Sequence, residues 1–174
     1  FNNLRLPWRN VHAVGRHMEF ARLAGADTIP RRVAPVPAEE DGRFVDAFLS
    51  NRGLSNQPLL LVHPGCSVAV KQWPAKKLAQ LARRLDEALG LTCVVSCGRG
   101  EDLAAREVHE LLGGKGHLAQ GFGIGQLAAL MLRCRLVVAP DTGPLHLAAA
   151  LGVPALGIYG PTDPELFGPY WPGC

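Results

Sequence analysis

From Gln57 onward, short uninterrupted apolar runs alternate with amphipathic helical segments, and no other feature constrains the fold as strongly. Leu59-Leu60-Leu61-Val62 is apolar at every position. A strand of that kind has to be covered on both faces, as in a parallel sheet. Pro74 then opens a helix with Leu78, Leu81, Ala82, Leu85, Ala88 and Leu89 on one face and Gly90 as its stop. Leu91 to Cys97 reads as a second buried strand. Glu101 to Leu112 reads as a helix with acids in its first turn, where the macrodipole favours them. A short strand over His117 to Ala119, a helix from Gly125 to Arg133, a strand over Leu136 to Ala139, a helix from Pro144 to Leu151 and a strand from Pro154 to Tyr159 follow. This order predicts an α/β fold, a doubly wound parallel sheet with right-handed crossovers. Such sheets bind ligands at the carboxyl ends of their strands, so the loops after Val62, Cys97, Ala139 and Tyr159 are where chemistry is expected.

Upstream the pattern is weaker. Residues 11–24 read as a helix capped by Asn10 and ended by Gly25. Asp27 to Asp41 holds Pro30, Pro35 and Pro37 and reads as a strand or an extended linker, followed by a short helix from Gly42 to Arg52. Residues 1–56 are therefore expected to be linker and edge elements, with the sheet domain spanning 57–174. The chain starts at Phe1 and closes on Pro172-Gly173-Cys174, which reads as part of a longer protein.

With 48% hydrophobic and 19% charged residues, disorder is excluded. No apolar run reaches the ~20 residues of a membrane span, and no secretory leader opens the sequence. The 18 basic residues are interleaved with 15 acidic ones for a net charge of +3, which argues against a nucleic-acid partner. Five cysteines, odd in number and without a Cys-x-x-Cys pair, read as small buried hydrophobes in a reducing cytoplasm. The six histidines lack ligand spacing, so no metal site is expected.

In the loop after the first strand, His63-Pro64-Gly65-Cys66-Ser67 leads to Lys71-Gln72-Trp73-Pro74. Gly65 permits close backbone approach, Ser67 offers a hydroxyl and Lys71 a charge, a set suited to a phosphate. A Gly-Pro turn beside a solvated lysine accounts for the same residues. Trp73 reads as a packing anchor under this loop. The loop after Ala139 reads Pro140-Asp141-Thr142-Gly143-Pro144-Leu145-His146 and runs into Leu147-Ala148-Ala149-Ala150. Thr142 and Gly143 stand at a helix start, where free amides and the dipole favour a diphosphate. His146 lies one turn in. Simple capping by Asp141 or Thr142 is the alternative. In the third loop, Glu101 can accept from a ribose hydroxyl or serve the helix dipole. Thr162, in the turn Gly160 to Pro164, is a weaker candidate for the same crevice.

Several chemistries are excluded. Asp-Thr-Gly in an aspartic protease needs a second carboxylate and an all-β fold. Gly121-Phe122-Gly123-Ile124-Gly125 mimics a dinucleotide fingerprint, but its third glycine is out of register and its strand is short. The first loop lacks the Gly-Lys-Ser/Thr end of a P-loop, and no Gly-x-Ser-x-Gly elbow exists.

Taken in order, His63-Pro64-Gly65, Lys71-Gln72-Trp73-Pro74, Gly98 to Glu101, Asp141 to Ala150 and Tyr159-Gly160-Pro161-Thr162 resemble the heptosyltransferase family, glycosyltransferase family nine. The likeness covers residues 57–169 and, more weakly, Val11 to Arg16. It implies a Rossmann-like domain, the C-terminal donor-binding half of a two-domain GT-B enzyme whose N-terminal acceptor domain is absent from this chain. It further implies inverting transfer of heptose from ADP-heptose to the lipopolysaccharide inner core, with no metal and no cofactor. A nucleotide-sugar epimerase of the same fold, or a non-catalytic nucleotide-sugar-binding module, are the alternatives.

By the resemblance, Lys71 meets donor phosphate with Gly65 and Ser67 beside it. Asp141, Thr142, Gly143 and His146 hold diphosphate and sugar, and Glu101 lies near the nucleoside. The catalytic base is an aspartate of the other half, so this chain alone is expected to transfer nothing. The implied partners are an ADP-sugar donor and a lipid-linked saccharide acceptor reached through the other half, at the cytoplasmic face of the inner membrane or in the cytoplasm. All of this requires Lys71 and the segment starting at Thr142 to converge on one pocket.

Overall fold

A computed structural model describes residues 11–27, 35–98 and 102–170. Five strands form one all-parallel sheet: β1 (Leu59–Val62), β2 (Thr92–Ser96), β3 (Gly116–Ala119), β4 (Cys134–Pro140) and β5 (Ala155–Ile158). Their spatial order is β3-β2-β1-β4-β5. The chain therefore winds outward from β1 in one direction and, after β3, returns to the other side of β1 and winds outward again through β4. The reversal falls between β1 and β4, which is where a doubly wound sheet opens its crevice.

Period-two alternation divides the sheet's side chains between two cores. Leu59 and Leu61 of β1, with Val94 and Val137, face α2 (Glu39–Ser50), α5 (Ile124–Met131) and α6 (Gly143–Leu151). Leu60, Val62, Val95 and Val138 face α3 (Ala75–Leu89) and α4 (Asp102–Leu111). All four β1 residues are buried, as their uninterrupted apolar run requires. Gly90 and Gly152 end α3 and α6 at φ 63° and 75°, a left-handed conformation that glycine reaches without a Cβ penalty. Trp73 packs against the second core beneath the β1 loop, as expected.

Three expectations are corrected. The helix expected from Gly42 begins at Glu39, because Glu39, Glu40 and Asp41 occupy its first turn and the Asp41 carboxylate accepts from the Ala38 amide at 3.1 Å. Its Val45, Phe48 and Leu49 are buried against the sheet, so this part of the expected linker and edge elements is a covering helix of the core. The first helix, α1 (Ala13–Leu23), is capped by His12, whose Nδ1 accepts from the Val14 amide at 3.2 Å; Asn10 lies outside the described residues. The turn after β5 continues into one more helical turn, α7 (Pro164–Phe167), with Asp163 accepting from the Glu165 amide at 2.9 Å.

The glycines of the rejected fingerprint have packing roles. Gly121 takes φ 78° in the turn after β3, and a Cβ at Gly125 would collide with the Asp41 carboxylate, so glycine lets α5 approach α2. Cys66, Cys93, Cys97 and Cys134 are buried thiols, and Cys174 lies outside the described residues. Burial, with Asp86 nearby, pushes the Cys93 thiol up to about 12, and burial also pushes Cys134 up to about 12. Both stay protonated and act as hydrophobes.

Candidate functional site

The site grows from the carboxyl ends of β1 and β4. After β1, the His63 amide donates to Val138 O at 2.9 Å, and its ring bonds Ser96 Oγ at 3.1 Å in a buried contact between the ends of β1 and β2. With its base so fixed, the loop folds back on itself. Gln72 Nε2 donates to Cys66 O at 3.1 Å, and a 3-10 turn over Ala69–Lys71 closes with the Lys71 amide on Val68 O at 2.9 Å. That turn carries the Lys71 side chain across to the β4 loop.

There Lys71 Nζ donates to Asp141 Oδ2 at 2.7 Å. Asp141 is itself fixed: its amide donates to Ile158 O at 3.2 Å, and its side chain is only 7% exposed. His146 Nε2 stands 3.5 Å from the other carboxylate oxygen. Burial alone would push the Asp141 carboxyl up. Polar contact with Lys71 and Thr162, the Lys71 charge and the contact with His146 outweigh it and hold the carboxyl below its usual value. The Thr162 hydroxyl is buried and makes no well-formed hydrogen bond, so it acts here as a polar neighbour of the carboxylate rather than a bonded partner. Tyr159 OH is likewise buried without a hydrogen-bond partner among the described residues, and burial followed by the Asp141 charge pushes its pKa up.

Lys71, Asp141 and His146 line one cleft of about 480 Å³. Its opposite wall was not foreseen from sequence. His12, Ala13 and Val14 at the start of α1 face Phe167, Gly168 and Tyr170 there. His12 Nε2 donates to Gly168 O at 2.8 Å while Nδ1 accepts from the Val14 amide, which fixes the Nε2–H tautomer. The His12 and Tyr170 rings lie 4.7 Å apart between centroids. The His12–Gly168 bond joins residues 156 apart in sequence, and no local pattern announces it.

The remaining sequence candidates divide. Thr142 is the N-cap of α6, yet its hydroxyl donates to Pro140 O at 3.2 Å and caps no helix amide. Simple capping by Thr142 is therefore not what the loop does. Gly143 at the start of α6 is exposed, and a Cβ on it would meet nothing within 4 Å, but neither Thr142 nor Gly143 lines the cleft. Gly65 is buried and Ser67 exposed, and neither lines the cleft. Glu101 lies outside the described residues. Among the described residues, no group of three or more acidic, histidine or cysteine side chains is gathered as metal ligands would be.

Fold and cleft together define a Rossmann-like α/β domain in which Lys71, Asp141 and His146 of α6 line one cleft at its switch point. The chain belongs to glycosyltransferase family 9 (heptosyltransferase), whose family model matches residues 2–173. It is 40% identical over 172 residues to lipopolysaccharide heptosyltransferase 1 of Salmonella typhimurium, covering 93% of this chain and 49% of that one. It is 26% identical over 164 residues to the lipopolysaccharide core heptosyltransferase OpsX of Haemophilus influenzae, covering 91% and 45%. Among solved structures, a glycosyl transferase family 9 protein from Veillonella parvula matches with a TM-score of 0.84 at 32% identity, over 96% of this chain and 49% of that one. Escherichia coli heptosyltransferase WaaC with ADP shares the fold, with a TM-score of 0.69 at 24% identity, over 98% and 51%. The chain thus spans about half the length of these relatives. Among the described residues, no helix is long and apolar enough to cross a membrane.

Proposed function

We propose that this chain is the nucleotide-sugar-binding half of an inverting GT-B heptosyltransferase that transfers heptose from ADP-heptose to the lipopolysaccharide inner core. The observation that carries the reading is the meeting of Lys71 and Asp141, at 2.7 Å, beside the open N-terminus of α6. Family membership and the likeness to the Salmonella and Haemophilus heptosyltransferases support it.

Glycosyl transfer from a nucleotide-sugar needs a base for the acceptor hydroxyl and stabilisation of the departing diphosphate. Lys71 and the α6 dipole provide the second, at the place where negative charge develops as the glycosidic bond breaks. They supply the positive charge that a metal supplies elsewhere, which supports a metal-independent transfer. Asp141 accepts hydrogen bonds from sugar hydroxyls, and His146 stands one helical turn along as a further donor to phosphate or sugar. Family resemblance, rather than the lining of this cleft, assigns Ser67 and the Gly65 backbone to the phosphates and Glu101 to the nucleoside. Asp141 is the one carboxylate among the described residues lining the cleft, and Lys71 holds it. By family resemblance, the base for the acceptor hydroxyl is contributed by the other half of the enzyme. The acceptor, a lipid-linked saccharide, reaches the cleft through that half at the cytoplasmic face of the inner membrane.

Calorimetric titration with ADP, UDP and GDP tests the reading. Measurable binding of ADP, at least tenfold tighter than UDP or GDP, is expected. Equal affinity for all three, or a preference for UDP, would overturn the assignment of an ADP-linked donor.

A further inference from the structure

We infer that Asp141 is a specificity-determining residue that makes the site prefer a nucleotide-sugar over a free nucleotide, because its carboxylate competes with phosphate for Lys71. The inference rests on the nucleotide-sugar reading above and deepens it.

The geometry gives the two partners unequal freedom. Asp141 is fixed at the end of β4 by its amide bond to Ile158 O, and its side chain is 7% exposed. Lys71 reaches it on a flexible four-carbon stem from a 3-10 turn and is 24% exposed. The carboxylate is thus the stationary group and the ammonium the mobile one. Lys71 is the one lysine or arginine among the described residues lining the cleft, and its charge is matched by a carboxylate 2.7 Å away. An incoming diphosphate therefore meets a neutral pair. To engage the ammonium it must share or displace Asp141, which leaves a buried carboxylate short of a donor beside a second anion.

What differs between ligands is whether they repair that loss. A nucleoside diphosphate ends in a phosphate with an extra ionisable oxygen and brings no donor to Asp141. A nucleotide-sugar brings less charge at that end and several hydroxyl donors. As Lys71 turns to its diphosphate, the sugar hydroxyls take the lysine's place on the carboxylate. The same residue thus opposes the first ligand and favours the second. The free nucleotide is also what remains after transfer, so the competition speeds its release.

The test is calorimetry of the chain with ADP and with ADP-heptose, on the wild type and on Asp141→Asn. Removing the negative charge frees Lys71, and ADP affinity is expected to rise by about tenfold, the scale of one charge-assisted bond. ADP-heptose affinity is expected to fall, so the preference inverts. In a Lys71→Gln background only direct carboxylate–phosphate repulsion is left to relieve, so Asp141→Asn is expected to raise ADP affinity by less than it does with Lys71 present. Asp141→Ala is measured in parallel, with circular dichroism melting, in case the amide variant does not fold. ADP affinity unchanged or weakened in the folded Asp141 variants would overturn the inference while leaving nucleotide-sugar binding intact. An equal gain with and without Lys71 would overturn the competition for the lysine. Failure of the wild type to bind either ligand would instead defeat the nucleotide-sugar reading, and this inference with it.

Discussion

Asp141 is the residue on which the site turns. It is buried, yet polar neighbours and the Lys71 charge keep its carboxyl below the ordinary carboxylate range. Because its folded pKa lies below its unfolded value, its contribution to stability is present at neutral pH and is lost as pH falls through the depressed folded value. Urea denaturation of the wild type across the acid range is therefore expected to show a loss of stability that Asp141→Asn lacks. Parallel pH profiles for the two proteins would contradict the assignment. Lys71, Asp141 and His146 were legible in the sequence because each sits just past a recognisable strand, at the edge where a doubly wound sheet collects its ligand-binding loops. Their pairing was not legible, since a turn of three residues decides where the Lys71 ammonium goes. Apart from the weak family likeness over Val11 to Arg16, His12 and Tyr170 gave no sequence signal, because the contact that makes them a wall of the cleft joins distant parts of the chain.

At the scale of elements, the buried strands were the most legible part of the chain. β1 and β2 are apolar at positions facing both helical layers, and nothing but a doubly covered strand explains such a run. Helix α2 was less so. Gly42 interrupts its periodicity and three acids precede it, a combination that reads as a loop until the helix dipole is considered. Its place in the core is shown by Phe48, 8% exposed, whose ring meets Phe122 edge to face at 5.1 Å between centroids. Phe48→Ala is accordingly expected to cost about 3 kcal/mol in chemical denaturation, the scale for emptying an aromatic site in a core. A cost below about 0.5 kcal/mol, as for an exposed connector residue, would show that α2 does not belong to the folding unit.

At the scale of the molecule, the strand order sets the site. Because the sheet reverses direction between β1 and β4, the loops leaving these two neighbouring strands carry Lys71 and Asp141 to one crevice. The doubly wound class was legible from the strand–helix alternation alone. The far wall of the cleft was not, because α1 and α7 join it by long-range contacts and not by sheet topology. The proposed diphosphate pocket between Lys71 and the start of α6 is open to one direct measurement. Isothermal titration of ADP into Lys71→Ala, folded by circular dichroism, measures it. A dissociation constant raised by about tenfold to a hundredfold relative to the wild type is expected, the loss of one charge-assisted bond. An unchanged dissociation constant would contradict it.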